Sequence, residues 1–184
     1  MKNYTIFIYS LLIVCSGIGA VEKPLPDIKL DQVNKMIQVG RPLMAVKLIG
    51  DALQRYKENN NSLGIANAHY AYGNLYKNAA IRPYITIYDP TFEKSIWHFI
   101  KAKKWYKKEK NEMGVVKSLT GIGVAYAKKG DFEAACKNIS ESLQIYKTGK
   151  AQGIITNKQE ILVPGHSNFG SVIIQLKERA NCTD

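Results

Sequence analysis

Three histidines, His69, His98 and His166, are the side chains best suited to act as a general base or a metal ligand. They stand far apart in the chain and fall in different predicted elements. A base needs a nucleophile or a reacting proton within reach, and Ser140 and Ser142 have none at an obvious spacing. No Cys-x-x-Cys or His-Glu-x-x-His ligand pattern occurs. Gly121-Ile122-Gly123 continues into Val124, without the lysine and hydroxyl residue of a phosphate-cradling loop. The expectation is a chain that is not an enzyme, with no catalytic residue, metal or cofactor.

What the chain offers is paired helices. From Gly114 to Lys147 the residues Val116, Leu119, Ile122, Gly123 and Tyr126 fall at spacings of three and four, so they share one helical face. Gly130 stops that helix and Asp131 caps the next, whose apolar side is Phe132, Ala135, Ile139, Ser142, Leu143 and Tyr146. Gly123 and Ala135 are small where two backbones must approach. Such a unit cannot bury its face alone, and it recurs. Ala45, Ile49, Ala52 and Tyr56 followed by Gly64 form one copy. Ser95, Phe99, Ala102 and Tyr106 followed by Gly114 form another, and Ala135, Ile139, Ser142 and Tyr146 followed by Gly153 a third. Gly64, Tyr72, Gly73 and Tyr76 return as Gly114, Ile122, Gly123 and Tyr126. A helix from Leu30 to Val39 partners the Ala45 helix, and Gly40 matches Gly130 in place.

The succession Ile122, Gly123, Tyr126, Gly130, Ala135, Ile139 and Ser142 resembles the tetratricopeptide repeat family, in its longer variant of about forty residues. Ser142 stands where the family usually has alanine, and no proline closes the unit after Tyr146. In the first unit Val33 and Met36 stand where glycine and tyrosine belong. The resemblance spans Leu30 to Gln152. It implies an all-α fold: a right-handed stack of antiparallel helical hairpins, an α-solenoid, with an inserted loop and a C-terminal capping helix. It also implies a concave groove lined by the first helices, here Asn67, Tyr70, Asn74 and Lys77, then Lys117, Thr120, Val124 and Lys128. Asn74 and Lys117 are similar to the pair with which one subset of the family holds a peptide's C-terminal carboxylate, although Tyr70 replaces a basic residue of that subset. An extended acidic peptide or protein edge suits the charges better.

Residues 1–20 are laid out as a secretory signal: Lys2, an apolar run from Ile6 to Val14, then small residues before Val21. The run is shorter than the roughly 20 residues of a lasting membrane span. Cleavage after Ala20 releases a free chain to the periplasm or the exterior; the rival, cleavage before Cys15, leaves a lipid-anchored envelope protein. Residues 21–29, with Pro24 and Pro26, form an extended leader. Residues 30–184 are expected to fold as one domain, long enough for a single core, with an insertion at residues 80–90.

In that insertion, aromatic and β-branched residues lie between Pro83 and Pro90. Arg82, Tyr84 and Tyr88 either anchor a partner or fold back over the repeats. Asp89 or Thr91 starts the helix that follows. On that helix Lys101, Lys104 and Lys108 form a basic face, while Trp97 and Trp105 pack on neighbouring elements. The segment from Gly153 to Leu162 reads as a further first helix, and Ser167 as the cap of a last one. Cys136 and Cys182 form a disulfide pinning the C-terminal helix, or remain a buried and a free thiol. The net charge of +11 favours an acidic partner: a protein or peptide, or an anionic glycan or lipid. No nucleic-acid recognition motif is present. An exported binding module follows, with a small immunity or inhibitor protein, or an envelope-polymer or lipid binder, as alternatives.

Overall fold

The computed structural model describes residues 30–81, 83–84, 87–159 and 165–182. The signal, the leader and Arg82 lie outside them. Among the described residues every regular element is helical: α1 (Leu30–Gln38), α2 (Pro42–Glu58), α3 (Ser62–Lys77), α4 (Glu93–Lys108), α5 (Glu112–Lys129), α6 (Phe132–Ala151) and α7 (Phe169–Arg179). Short 3-10 turns stand at Ala79–Ile81 and Asn157–Gln159. Each α-helix packs on its neighbours in the chain, most extensively α3 on α4 and α5 on α6.

Two kinds of corner join the helices, and each is built by local chemistry. After α1 and α5 the chain turns through Gly40 and Gly130, whose φ values of 72° and 88° suit glycine. Asp131 then accepts from Ala134 N at 3.0 Å, and Pro42 opens α2 without a backbone donor. After α2 and α4 the left-handed residue is Asn60 or Lys110. The next asparagine, Asn61 or Asn111, donates its backbone N–H to the carbonyl of Tyr56 or Tyr106 at 2.8 and 2.9 Å. Its side chain accepts from Gly64 N or Gly114 N, both at 2.8 Å. The tyrosine ring lies flat against that glycine. A Cβ would meet the ring at 2.2 Å on Gly64 and at 2.4 Å on Gly114, so no larger residue fits.

The third tyrosine of the series, Tyr146, finds a different glycine. It packs on Gly170 of α7, where a Cβ would come within 2.5 Å of the ring, while Gly153 has nothing within 4 Å and merely ends α6 in a turn at φ 70°. The expected helix from Gly153 does not form: residues 153–159 are turns and a 3-10 segment, and residues 160–164 lie outside the described residues. The cap of α7 is Asn168, which accepts from Ser171 N at 2.9 Å, and not Ser167. A β-region Asn directly before the first turn is the better acceptor position.

Within the hairpins the small residues sit where backbones approach. Gly73 of α3 meets the Phe99 ring, Gly123 of α5 meets Ile139, and Ser95 Oγ donates to Gly73 O at 2.8 Å. The insertion folds back over the hairpins. Ile81 and Ile87 are buried, and Tyr84 donates its hydroxyl to Gly40 O at the first corner. Asp89 starts α4 by accepting from Thr91 N, Thr91 Oγ1 and Lys94 N. Burial pushes its carboxyl up, but those hydrogen bonds and the Lys94 charge outweigh burial and hold it below the usual carboxylate range.

Cys136 of α6 and Cys182, just beyond α7, are joined as a disulfide across 46 residues of sequence. Beside it Tyr146, Phe169 and Ile173 form the apolar contact of α6 with α7. Replacing both cysteines by serine is expected to lower stability by roughly 2–4 kcal/mol. Urea unfolding under non-reducing conditions reads this directly; an unchanged midpoint would mean that packing alone holds α7.

Candidate binding surfaces

Two of the eight expected groove residues come together as charge. Lys77 ends α3 and lies with its Nζ 5.4 Å from the centroid of Phe99. Lys128, in the last turn of α5, donates to Lys77 O at 3.0 Å and stands 5.9 Å from the Phe92 centroid. Burial, then the Lys128 charge, lowers the Lys77 ammonium pKa to about 8. Among the described residues neither ammonium has a carboxylate partner. Tyr76, Tyr88, Phe92 and Lys128 line a cavity of about 190 Å³ beside them. The arrangement is an aromatic floor with two uncompensated cations, suited to an anionic group.

The other six are placed differently. Tyr70 packs edge-on against Phe99 at 5.5 Å between α3, α4 and α5, and burial raises its phenol pKa. Asn74 donates to Tyr70 O at 3.2 Å, and Asn67 accepts from the Tyr106 hydroxyl at 2.6 Å. Lys117 donates to Gln159 O at 3.1 Å. Val124 lines a cavity of about 200 Å³ against Leu176 and Arg179 of α7. Thr120 does not face a groove: it is 7% exposed, with its hydroxyl 2.8 Å from Ser142 Oγ between α5 and α6. The amide and ammonium of Asn74 and Lys117 are thus each engaged by backbone carbonyls. Of the insertion aromatics, Tyr84 and Tyr88 pack partly against the core of the first hairpins.

The basic face of α4 carries two stacked pairs. Lys101 lies 5.1 Å over Trp97 and Lys108 lies 5.0 Å over Trp105, with Lys104 exposed between them. Trp105 packs on the core, while Trp97 meets His69 of the neighbouring α3 edge-on and stays 51% exposed.

Trp97 borders a cluster that sequence distance concealed. His69 of α3 and His98 of α4 face each other with Nδ1 atoms 3.0 Å apart. Their ring centroids are 5.3 Å apart, longer than the nitrogen separation by about two ring radii, so the nitrogens meet head-on. That is a hydrogen bond, in which one ring carries Nδ1–H and the other accepts, and not a pair of lone pairs converging on an ion. Tyr72 and Tyr76 flank His98 at 4.7 and 5.5 Å, and Trp97 stands edge-on to both rings. Burial, then Lys57 and Lys101, lower His69 to about 4; burial, then His69, lower His98 to about 3. The signal lies in the hairpin register: the pairing that sets Ser95 on Gly73 brings His98 against His69 one turn away.

Among the described residues no group of three or more His, Cys, Asp or Glu could hold a metal ion, and no helix is long and apolar enough to cross a membrane. No protein-family model matches the chain, and no curated protein or solved structure shows significant similarity to it.

Proposed function

We propose that the chain is an exported interaction module, built from tetratricopeptide-like hairpins in a right-handed stack, that grips an acidic peptide or protein segment without acting on it chemically. The corners support the repeat: the same tyrosine, asparagine and glycine build both the α2–α3 and the α4–α5 turns. One observation carries the binding: Lys77 and Lys128 stand together over Phe99 and Phe92 with no internal carboxylate. A desolvated ammonium at Lys77 and an exposed one beside it at Lys128, neither neutralised by a carboxylate among the described residues, favour an anion from outside. On this reading export delivers the chain to the periplasm or the exterior, free from Val21 or anchored at Cys15.

A second reading rests on Trp97, whose exposure beside Lys101 suits an anionic glycan or lipid. Affinity capture from the envelope fraction separates the two. Lys77→Glu/Lys128→Glu is expected to weaken capture of a protein partner by at least about tenfold, while Lys104→Glu/Lys108→Glu leaves it intact. Capture indifferent to the first pair would sink the main reading. Loss of polymer or lipid association alone, caused by the second pair, would favour the other. If the captured partner is a toxin or an envelope hydrolase, the module is an immunity or inhibitor protein.

A further inference from the structure

We infer that the cleft between α4, the start of α5 and the second half of α6 binds a medium-chain fatty acid. Its volume is about 640 Å³, within the roughly 300–1,000 Å³ typical of small-molecule sites. Val115, Ile145 and Ile154 supply an aliphatic surface, and Ile154 is 44% exposed. Lys103, Lys107 and Lys110 run along the α4 wall, where their methylene stems extend that apolar surface beneath charged heads. Among the described residues no aromatic ring lines the cleft, so a flat ligand finds nothing there to stack on. An unbranched chain is the occupant that aliphatic walls fill best.

The charges orient it. None of the three lysines has an ion-pair partner among the described residues, and Glu141, on the facing α6 wall, does not reach them. The first turn of α5 adds the positive end of a helix dipole. Its own acidic residue, Glu112, also lines the cleft, with its carboxylate against Gly149 of α6, where an added Cβ would lie 2.7 Å from Glu112 Oε2. A carboxylate head therefore sits on the α4 wall, away from both Glu112 and Glu141, with its chain across Val115, Ile145 and Ile154. None of these residues belongs to the Lys77–Lys128 surface, so the two sites stand or fall separately.

The test titrates laurate, dodecyl maltoside and acetate into the full chain by calorimetry, with both amphiphiles kept below their micelle concentrations. Laurate saturates one site, dodecyl maltoside binds at least about tenfold more weakly, and acetate gives no binding. Lys103→Gln/Lys107→Gln weakens laurate by about tenfold or more without changing the maltoside. Glu141→Gln tightens laurate, by removing the opposing charge. Ile154→Glu, placed in a turn where it leaves the helices intact, abolishes binding of both amphiphiles. An absence of laurate binding, equal affinity for the neutral amphiphile, or full laurate affinity in the lysine variant would each overturn the site. Circular dichroism of each variant separates loss of binding from loss of fold, and the lysine variant decides alone if Ile154→Glu is unfolded.

Discussion

Phe99→Ala is expected to destabilise the protein by about 4–5 kcal/mol, near the top of the range for removing a buried aromatic ring. Phe99 has no exposure, and three helices close around it. Gly73 of α3 and Gly121 of α5 give up their side chains to admit the ring: an added Cβ would stand 2.6 Å from it on one side and 2.7 Å on the other. Tyr70 meets its face edge-on and Lys77 covers it. The space left by alanine resists collapse, because α3 is held by its packing on α2 and α5 by its packing on α6. The complementary change, Gly121→Ala, fills space that the ring already occupies and is expected to cost about 1–3 kcal/mol. Urea unfolding of the two single variants and the double variant reads the coupling. The double is expected to lose less than the sum of the singles, because the new methyl enters the cavity that Phe99→Ala opens. Strict additivity, or a loss below about 2 kcal/mol for Phe99→Ala, would show that the ring is not the wedge between α3, α4 and α5.

How much of this was legible in the sequence follows from how local each feature is. The corners are legible in the recurrence of Tyr56 with Gly64 and of Tyr106 with Gly114, which lie close in sequence and meet in space, whereas the capping roles of Asn61 and Asn111 emerge only in the structure. Gly40 and Gly130 were readable for the same reason. The third tyrosine was not, since its glycine partner is Gly170 and nothing nearby marks that choice. The groove positions follow from a family pattern, yet one of the two departures in its last unit changes them. A serine at 142 in place of alanine buries a hydroxyl between α5 and α6. It needs partners, and Val116 O at 3.0 Å and Thr120 at 2.8 Å supply them, so Thr120 turns inward. Lys77 and Lys128 were both named, but their meeting over two phenylalanines depends on where helix ends fall in space. The cleft under Lys103 and Lys107 was hidden likewise, its walls coming from three helices. Sequence separation hides the approach of His69 to His98, for which the hairpin register is the relevant measure.

That histidine pair is expected to make the fold acid-labile between pH 6.5 and 4, with a loss on the order of 5 kcal/mol as the pH falls through that window. The unfolded chain protonates both imidazoles near their ordinary value of 6.5, whereas the folded chain holds His69 to about 4 and His98 to about 3. Over the interval the unfolded state binds more protons, so stability is fully present above 6.5 and is lost as pH falls toward the folded values. Burial is the first cause for both groups, and the charges of Lys57 and Lys101 add to it at His69. The head-on contact supplies a further limit. One proton already lies between the facing nitrogens, and a second on that line would set two N–H donors against each other across 3.0 Å. The loss is less than two independent shifts would sum to, because a singly charged pair keeps its hydrogen bond in strengthened form. Asp89 acts in a separate window: its lowered carboxyl contributes stability above the ordinary carboxylate range that is lost only at more acid pH. His69→Gln/His98→Gln retains a donor and an acceptor but no titration. Urea midpoints measured from pH 7.5 to 4 are therefore expected to fall steeply for the natural chain and to stay nearly level for the double variant down to about pH 5. Parallel curves for the two proteins would place the acid sensitivity elsewhere in the fold.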